Sequence, residues 1–482
     1  PDFDSLVIPV ELMEHEMGRI WSPVNHLQSV LGSRDWREAY KRALPLLTEH
    51  GTEISQNLRL QRAYSTVAKL LPADASESQH SAVSHALRDF RLAGVALDEA
   101  DKKRFKEIMR KLAALQAEFE HKVQDASDAW SMHILDAIDL VGVPQRTLDR
   151  AAADAASEDL EGWLLSLNYP TYDAIMKHAH GRQLREKMYR AWTTRGSDQG
   201  DNPEWDNSEN IENILALRHE AASLVGFDTY ADYSLATKMA GSTDEVITFL
   251  RELADRSRSA AKQELSDLES LAGMRLEPWD VTFWLEKYKQ AKYAVSNEEL
   301  RQYFPANTVI DGLFSLATRL YGIELLEQDD IAVWHDDARY FSVKNASGAV
   351  IGGFYTDIYA RNGKRNGAWI DECISRQDLH GHTELPVGYL VCNFPPPDDA
   401  GLSLLTHDDV VTLFHEFGHM LHHLLTRIDL PSISGINGVP WDAVELPSQF
   451  MENFAWSYEV LERCSAHSET GESLPRALFD KL

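Results

Sequence analysis

Apolar residues recur at steps of three and four along most of this chain, with polar residues filling the positions between them. Phe105, Ile108, Leu112, Leu115, Phe119 and Val123 make one such stripe, backed by many charges, which predicts a long amphipathic helix with its apolar face in a core. The Ala- and acid-rich stretch 151–159 reads as a boundary or surface excursion before the strand-like Trp163–Leu167, and helical periodicity resumes from Leu184 to about Leu320. Between about 331 and 395 the texture changes. Arg339–Val343 and Val350–Tyr359 flank Asn345-Ala-Ser-Gly348, a hairpin signal, and Leu385–Phe394 reads as a third strand. Helical spacing then returns: Thr406 and Asp409 form a Thr-x-x-Asp capping box, and Val410, Phe414, Phe417, Leu421 and Leu424 supply the stripe. The predicted class is mainly α, without internal repeats, and with a small β-sheet leading straight into this helix.

The same helix carries His415-Glu-Phe-Gly-His419. Residues i and i+4 lie on one helix face with Cβ atoms about 5–6 Å apart, so two imidazoles at this spacing can hold one metal at about 2.0–2.1 Å. Glu416 projects about 100° round the helix, beside the metal and not on it, as the general base of a zinc peptidase motif requires. His415 and His419 share a strip with Val411 and His422, at the edge of the buried face. Gly418, between them, costs about 1 kcal/mol in a helix interior, which predicts a close approach to the backbone there. A chance His-Glu-x-x-His turns up in roughly one such chain in ten or twenty, so the following segment carries much of the weight.

A catalytic zinc needs three protein ligands and one open position. A third histidine directly downstream is excluded, because His422 and Leu425 stand where a metzincin has Gly and His. Segment 439–453 offers carboxylates instead, and Glu445 is the candidate third ligand. Glu445, Gln449 and Glu452 share a helical face, which puts Glu452 in position to fix an imidazole tautomer. Asp442 competes for that orienting role or caps the helix. Pro447 fits easily only in a first turn, and leaves the helix boundary open. His422 and His423 read as packing or surface residues. Lys364-Arg-Asn-Gly367, His380 and His382 read as solvated turn residues. An exposed sheet edge next to the metal would hold an extended peptide through main-chain hydrogen bonds, or the sheet serves as scaffold alone.

Residues 406–427, followed by Ser434 to Asn453, resemble the thimet oligopeptidase family of zinc metallopeptidases. So do Tyr189-Arg-Ala-Trp-Thr-Thr-Arg-Gly-Ser-Asp-Gln-Gly200, Trp205-Asp-Asn-Ser208, Leu217 to Met239 and Leu300-Arg-Gln-Tyr-Phe-Pro305, in the same order. The resemblance implies His415, His419 and Glu445 as ligands of one Zn2+ per chain and Glu416 as general base, taking a proton from water and passing it to the leaving amine. It implies two helical lobes flanking a deep channel, as in neurolysin, with residues 1–180 an N-terminal helical region in the channel wall and 181–482 the catalytic region. The expected substrates are short unfolded peptides cut internally in the cytoplasm, with dipeptidyl carboxypeptidase specificity the alternative. The family continues past the position of Leu482, into a Gly-rich loop whose His and Tyr stabilise the oxyanion, and this chain opens at Pro1 without the family's first segment. A zinc-binding but catalytically impaired fragment acting as a peptide-binding module is therefore a further expectation.

Composition narrows the picture a little more. A chain of 482 residues suggests about two to four domain-sized units. A formal charge of −29 and a pI near 5.0 argue against nucleic acid and anionic membrane as partners. Cys373, Cys392 and Cys464 are too few and scattered for a disulfide framework. There is no apolar run of about 18 residues and no signal peptide, and a monomer is expected.

Overall fold

The computed structural model describes residues 1–482 apart from 295, 380 and 399 and the side chain at 382. His380 therefore lies outside the described residues, whereas the backbone of His382, expected in a turn, opens the short strand His382–Glu384, paired antiparallel with Gln377–Leu379.

Helices dominate, in keeping with the prevailing period of the sequence. α1 (Ile8–Leu31) ends at Gly32, whose φ of 61° closes the helix in the left-handed region. Gly32 also lies against Gly363, where a Cβ would stand 2.4 Å from the Gly363 Cα, so the absence of side chains lets the end of α1 sit on the loop that follows the strand Val350–Tyr359. α2 (Glu99–Ala129) is capped by Asp98, which accepts from Ala100 and Asp101 N–H. Its predicted stripe is buried at Phe105, Ile108 and Leu112, against Ile214 and Ala221. The Ala-rich stretch expected as an excursion is instead a helix, Gln145–Ser157, with Ala151 and Ala155 buried. Alanine's high helix propensity outweighed the acidic surface that suggested a loop. Trp163–Ser166 is a strand as expected, paired antiparallel with Ser131–Ile134. α3 (Thr243–Ala272) is long but buries only Leu268, leaving Phe249, Leu250 and Leu253 exposed.

The sheet has five strands where three were expected. β1 (Glu324–Glu327), β2 (Arg339–Lys344), β3 (Val350–Tyr359), β4 (Trp369–Ile374) and β5 (Val387–Phe394) are ordered β1-β2-β3-β5-β4. β3 and β5 run parallel and every other pair is antiparallel. Successive side chains of a strand point to opposite faces. Leu390, Cys392 and Phe394 of β5 accordingly join the core beneath α4 (His407–Leu424), with Phe354, Phe414, Phe417 and Met420. Tyr389 and Val391 face the other way, onto Val30 of α1. The sheet is thus clamped between the helix bearing the motif and the N-terminal helix.

Lys364 corrects the expectation of a solvated turn. Its side chain is fully buried, and its ammonium donates to Asp357 Oδ1 and to the carbonyls of Asp357, Tyr359 and Cys392 at 2.6–2.8 Å. Arg361 completes the pairing on Asp357. A buried ammonium is tolerated only with such a full set of partners. The result fixes the loop between β3 and β4 to the strand beneath α4. No described helix is long and apolar enough to cross a membrane.

Candidate metal centre

The capping box predicted for α4 is present. Thr406 Oγ1 accepts from Asp409 N–H at 3.1 Å, and Asp409 Oδ2 accepts from Thr406 N–H at 2.8 Å. With the helix start fixed and the Phe414 and Phe417 side buried, the register places His415 and His419 on the flank. The carboxylate arrives on α5 (Leu446–Glu452), where Glu445 is the N-cap residue and Pro447 lies in the first turn, the one helical position that suits it. α5 crosses α4 at Gly418. A Cβ there would stand 2.6 Å from both Pro447 O and Ser448 Cα, so the close approach expected from the sequence is made by the backbone that carries Glu445.

Three donor atoms converge as a result. His415 Nε2 is 3.1 Å and His419 Nε2 2.9 Å from Glu445 Oε2, and all three atoms lie within 4.8 Å of one another. Ligands about 2.0–2.1 Å from a tetrahedral centre stand about 3.3 Å apart, so this set fits a zinc-sized ion with room for a fourth ligand. Two imidazoles and a carboxylate are also the donor chemistry of a borderline-soft dication.

The surroundings sort the candidate residues. Glu452 Oε1 is 2.6 Å from His415 Nδ1, so the ring donates there and keeps Nε2 bare toward the centre. Asp442 does neither of the things expected of it. It sits in a 3₁₀ turn, Trp441–Ala443, and its carboxylate accepts from the N–H groups of Met239 and Ala240 at 2.9–3.0 Å, just ahead of α3. His423 is buried with Nε2 bonded to the carbonyls of Ile374 and Val387, a packing role that ties α4 to β4 and β5. Ser448 donates to Glu445 Oε2 at 2.9 Å, a contact with no sequence signal.

Electrostatics separate the two carboxylates. Burial pushes Glu416 up to about 7, with Glu445 adding to the rise and His415 opposing it. Burial works against Glu445 too, yet the Ser448 hydroxyl and the two imidazoles outweigh it and hold that group below the usual range. Burial also lowers His419, favouring the neutral imidazole that binds metals.

Paired imidazoles with a neighbouring carboxylate are a donor set suited to a metallopeptidase, and comparison with known proteins gives that class. Residues 175–482 match Peptidase family M3, and residues 1–102 match the Neurolysin/Thimet oligopeptidase N-terminal domain. The chain belongs to peptidase family M3 and is a metallo-oligopeptidase, whose substrates are peptides. It is 46% identical over 488 residues to oligopeptidase A of Escherichia coli (strain K12), covering 100% of this chain and 72% of the relative. Dipeptidyl carboxypeptidase of the same organism is more distant, 30% identical over 492 residues, covering 100% of this chain and 71% of that protein. Among solved structures, PZ peptidase A with an inhibitor shares the fold at a TM-score of 0.52 and 15% identity, over 94% of this chain and 64% of that one.

Proposed function

We propose that this metallo-oligopeptidase is a zinc-dependent endopeptidase for short unfolded peptides, with His415, His419 and Glu445 as metal ligands and Glu416 as general base. The observation that carries the reading is the convergence of two Nε2 atoms and one carboxylate oxygen within 4.8 Å, with a second, buried carboxylate on the next residue of the same helix. A bound zinc supplies Lewis acidity, polarising a scissile carbonyl and acidifying a water. Glu416, being pushed toward neutrality, accepts the proton of the attacking water and later delivers it to the leaving amine. Glu452 holds the His415 ring in the tautomer that leaves Nε2 free, and Ser448 fixes the rotamer of Glu445. The N-terminal helices, residues 1–180, serve in this reading as one wall of a channel that admits extended peptides and excludes folded proteins. The three free thiols and the acidic pI suit a cytoplasmic setting.

Zinc content together with hydrolysis of an internally quenched octapeptide, with and without chelator, tests this. One zinc per chain and chelator-sensitive cleavage at an internal bond are expected. Release of C-terminal dipeptides only would replace the endopeptidase reading with its dipeptidyl carboxypeptidase alternative, and stoichiometric zinc without turnover would leave a peptide-binding module.

A further inference from the structure

Asp442 stands three positions ahead of Glu445, and its carboxylate bonds to backbone in a remote part of the chain. Met239 N–H donates to both carboxylate oxygens at 3.0 Å, and Ala240 N–H to Oδ2 at 2.9 Å. We propose that Asp442 is a positioning residue for the metal centre: by fixing the turn Trp441–Ala443 on the segment ahead of α3, it sets where Glu445 presents its carboxylate. The inference rests on Glu445 being a metal ligand, and adds a residue that acts only through it.

The turn is joined stiffly to that ligand. Only Ala443 and Val444 separate Asp442 from Glu445. Ala443 N–H donates to Pro440 O at 2.8 Å within the turn, Val444 has φ −63° and ψ −30°, and Glu445 has φ −79° and ψ −3°. The backbone therefore passes from the turn into α5 in right-handed helical conformation, with no glycine to absorb a shift. At helical rise the two residues are about 5 Å apart along the axis. A displacement of Asp442 is thus carried to Glu445 with little loss.

No second brace acts from this side. Among the described residues, the bonds of Asp442 are the only hydrogen bonds that link residues 438–444 to a distant part of the chain, and the Trp441 side chain lies in solvent. Ser448 and the approach at Gly418 hold α5 from its C-terminal side.

The segment that receives the carboxylate is itself fixed. Lys238 N–H donates to Leu235 O at 2.9 Å, and the Lys238 ammonium is engaged by the Ser234 carbonyl and hydroxyl at 2.7 and 2.9 Å. Gly241 N–H donates to Glu245 Oε2 at 2.9 Å. Tyr233, in the short helix Tyr230–Leu235, donates its hydroxyl to Leu92 O at 3.3 Å, at the end of the helix Glu77–Leu92. The Met239 and Ala240 N–H groups hold Asp442 below the usual carboxylate range, so the bonds are charge-assisted.

The test titrates zinc, against a chromophoric chelator, into the apo form of the full chain and of Asp442→Ala, Asp442→Asn, Asp442→Glu and Asp98→Ala, with thermal unfolding of each apo protein alongside. Asp442→Ala is expected to bind zinc about tenfold more weakly and to release it faster, the effect of losing a group that orients a ligand. Asp442→Asn keeps a carbonyl oxygen for the same N–H groups and is expected to recover most of the loss. Asp442→Glu keeps the charge but reaches one methylene further, and is expected to remain weak. Asp98→Ala strips two N–H groups at the start of α2 in the same way, and is expected to lower the apo Tm without changing zinc affinity. The proposal is overturned by zinc affinity within about twofold of the unchanged protein in Asp442→Ala, or by an equal loss in Asp98→Ala, which would mark general destabilisation. Recovery by Asp442→Glu and not by Asp442→Asn overturns it too, since the carboxylate would then act as a remote charge and not as a brace; this pair decides alone if Asp442→Ala does not fold. Zinc bound by Glu445→Ala as tightly as by the unchanged protein overturns the ligand assignment itself, whatever the Asp442 variants do.

Discussion

Gly418 and Ser448 touch through their backbones, so closely that a methyl group on Gly418 would stand 2.6 Å from the Ser448 Cα. The helix bearing His415 and His419 and the helix that follows Glu445 are held at this distance by the missing side chain. Gly418→Ala should gain about 1 kcal/mol of helix propensity and still lose net stability, by about 1–3 kcal/mol, because the obstruction is backbone that cannot swing aside. Glu445 moves with its helix, so zinc affinity should fall in parallel. Thermal unfolding and a competitive zinc titration check the two together; a variant more stable than the original with unchanged zinc affinity would contradict the packing argument.

Glu416 and Glu445 should separate in their effects. Glu416→Gln should lower turnover by about 10²–10⁴ with zinc retained, as expected for loss of a general base. Glu445→Ala should lose the metal. Zinc content measured beside steady-state rates decides, and the opposite pairing of results would reverse the assigned roles.

Glu452 contacts His415 Nδ1 at 2.6 Å, and under the proposed assignment it would act on a metal through that ring. Its replacement by Ala should weaken zinc about 10- to 100-fold without abolishing binding, and Glu452→Gln, which still accepts the ring proton, should recover part of the loss. Isothermal titration of the apo protein with zinc reads this out.

Lys364 is enclosed by Asp357 and three backbone carbonyls. Lys364→Met keeps the volume and removes the charge, stranding those acceptors, and should cost about 3 kcal/mol or more in urea unfolding even though Arg361 stays on Asp357. A stability change under about 1 kcal/mol would mean the pocket is not as closed as its contacts imply.

Acid sensitivity has an identifiable source in His26. It is buried, stacked on Tyr389 with centroids 3.7 Å apart and edge-on to Trp334, with no hydrogen-bond partner for either ring nitrogen among the described residues. Burial drives it from 6.5 down to about 3, with Asp357 opposing and the Lys364 and Arg361 charges assisting. A folded-state value below the unfolded one means that the unfolded chain binds the proton first. The stability tied to neutral His26 is therefore complete above about pH 6.5 and drains away as pH falls toward 3, by up to about 1.4 kcal/mol per pH unit. His26→Phe preserves the stacking and removes the titration. Its urea midpoint should fall less between pH 7 and 4 than that of the unchanged protein, and parallel curves would refute the assignment.

What could be read in the sequence was what is encoded locally. The capping box at Thr406, the apolar stripe of α4 and the strand Val350–Tyr359 are each set by residues a few positions apart, and all appear as expected. β4 was missed because Trp369–Ile374 has no alternation to show: every residue in it is half-buried, with one edge on β5 and the other beside α1. Lys364 looked solvated because charge in a Gly-containing turn normally is, and its acceptors on β3 and β5 come together only in the folded sheet. Glu452 was legible from helical spacing with Glu445. Asp442 was not, since its partners are the backbone of Met239 and Ala240, far off in sequence.

That distant anchor gives the centre an unequal suspension. Two of the donors ride on one rigid helix and cannot shift relative to each other, whereas the third hangs from a short turn tethered by Asp442 to the segment that launches α3, a long helix with most of its surface in solvent. A pull on α3 would therefore reach the candidate centre first at the Glu445 turn, through the Asp442 tether, while His415 and His419 are carried together by α4.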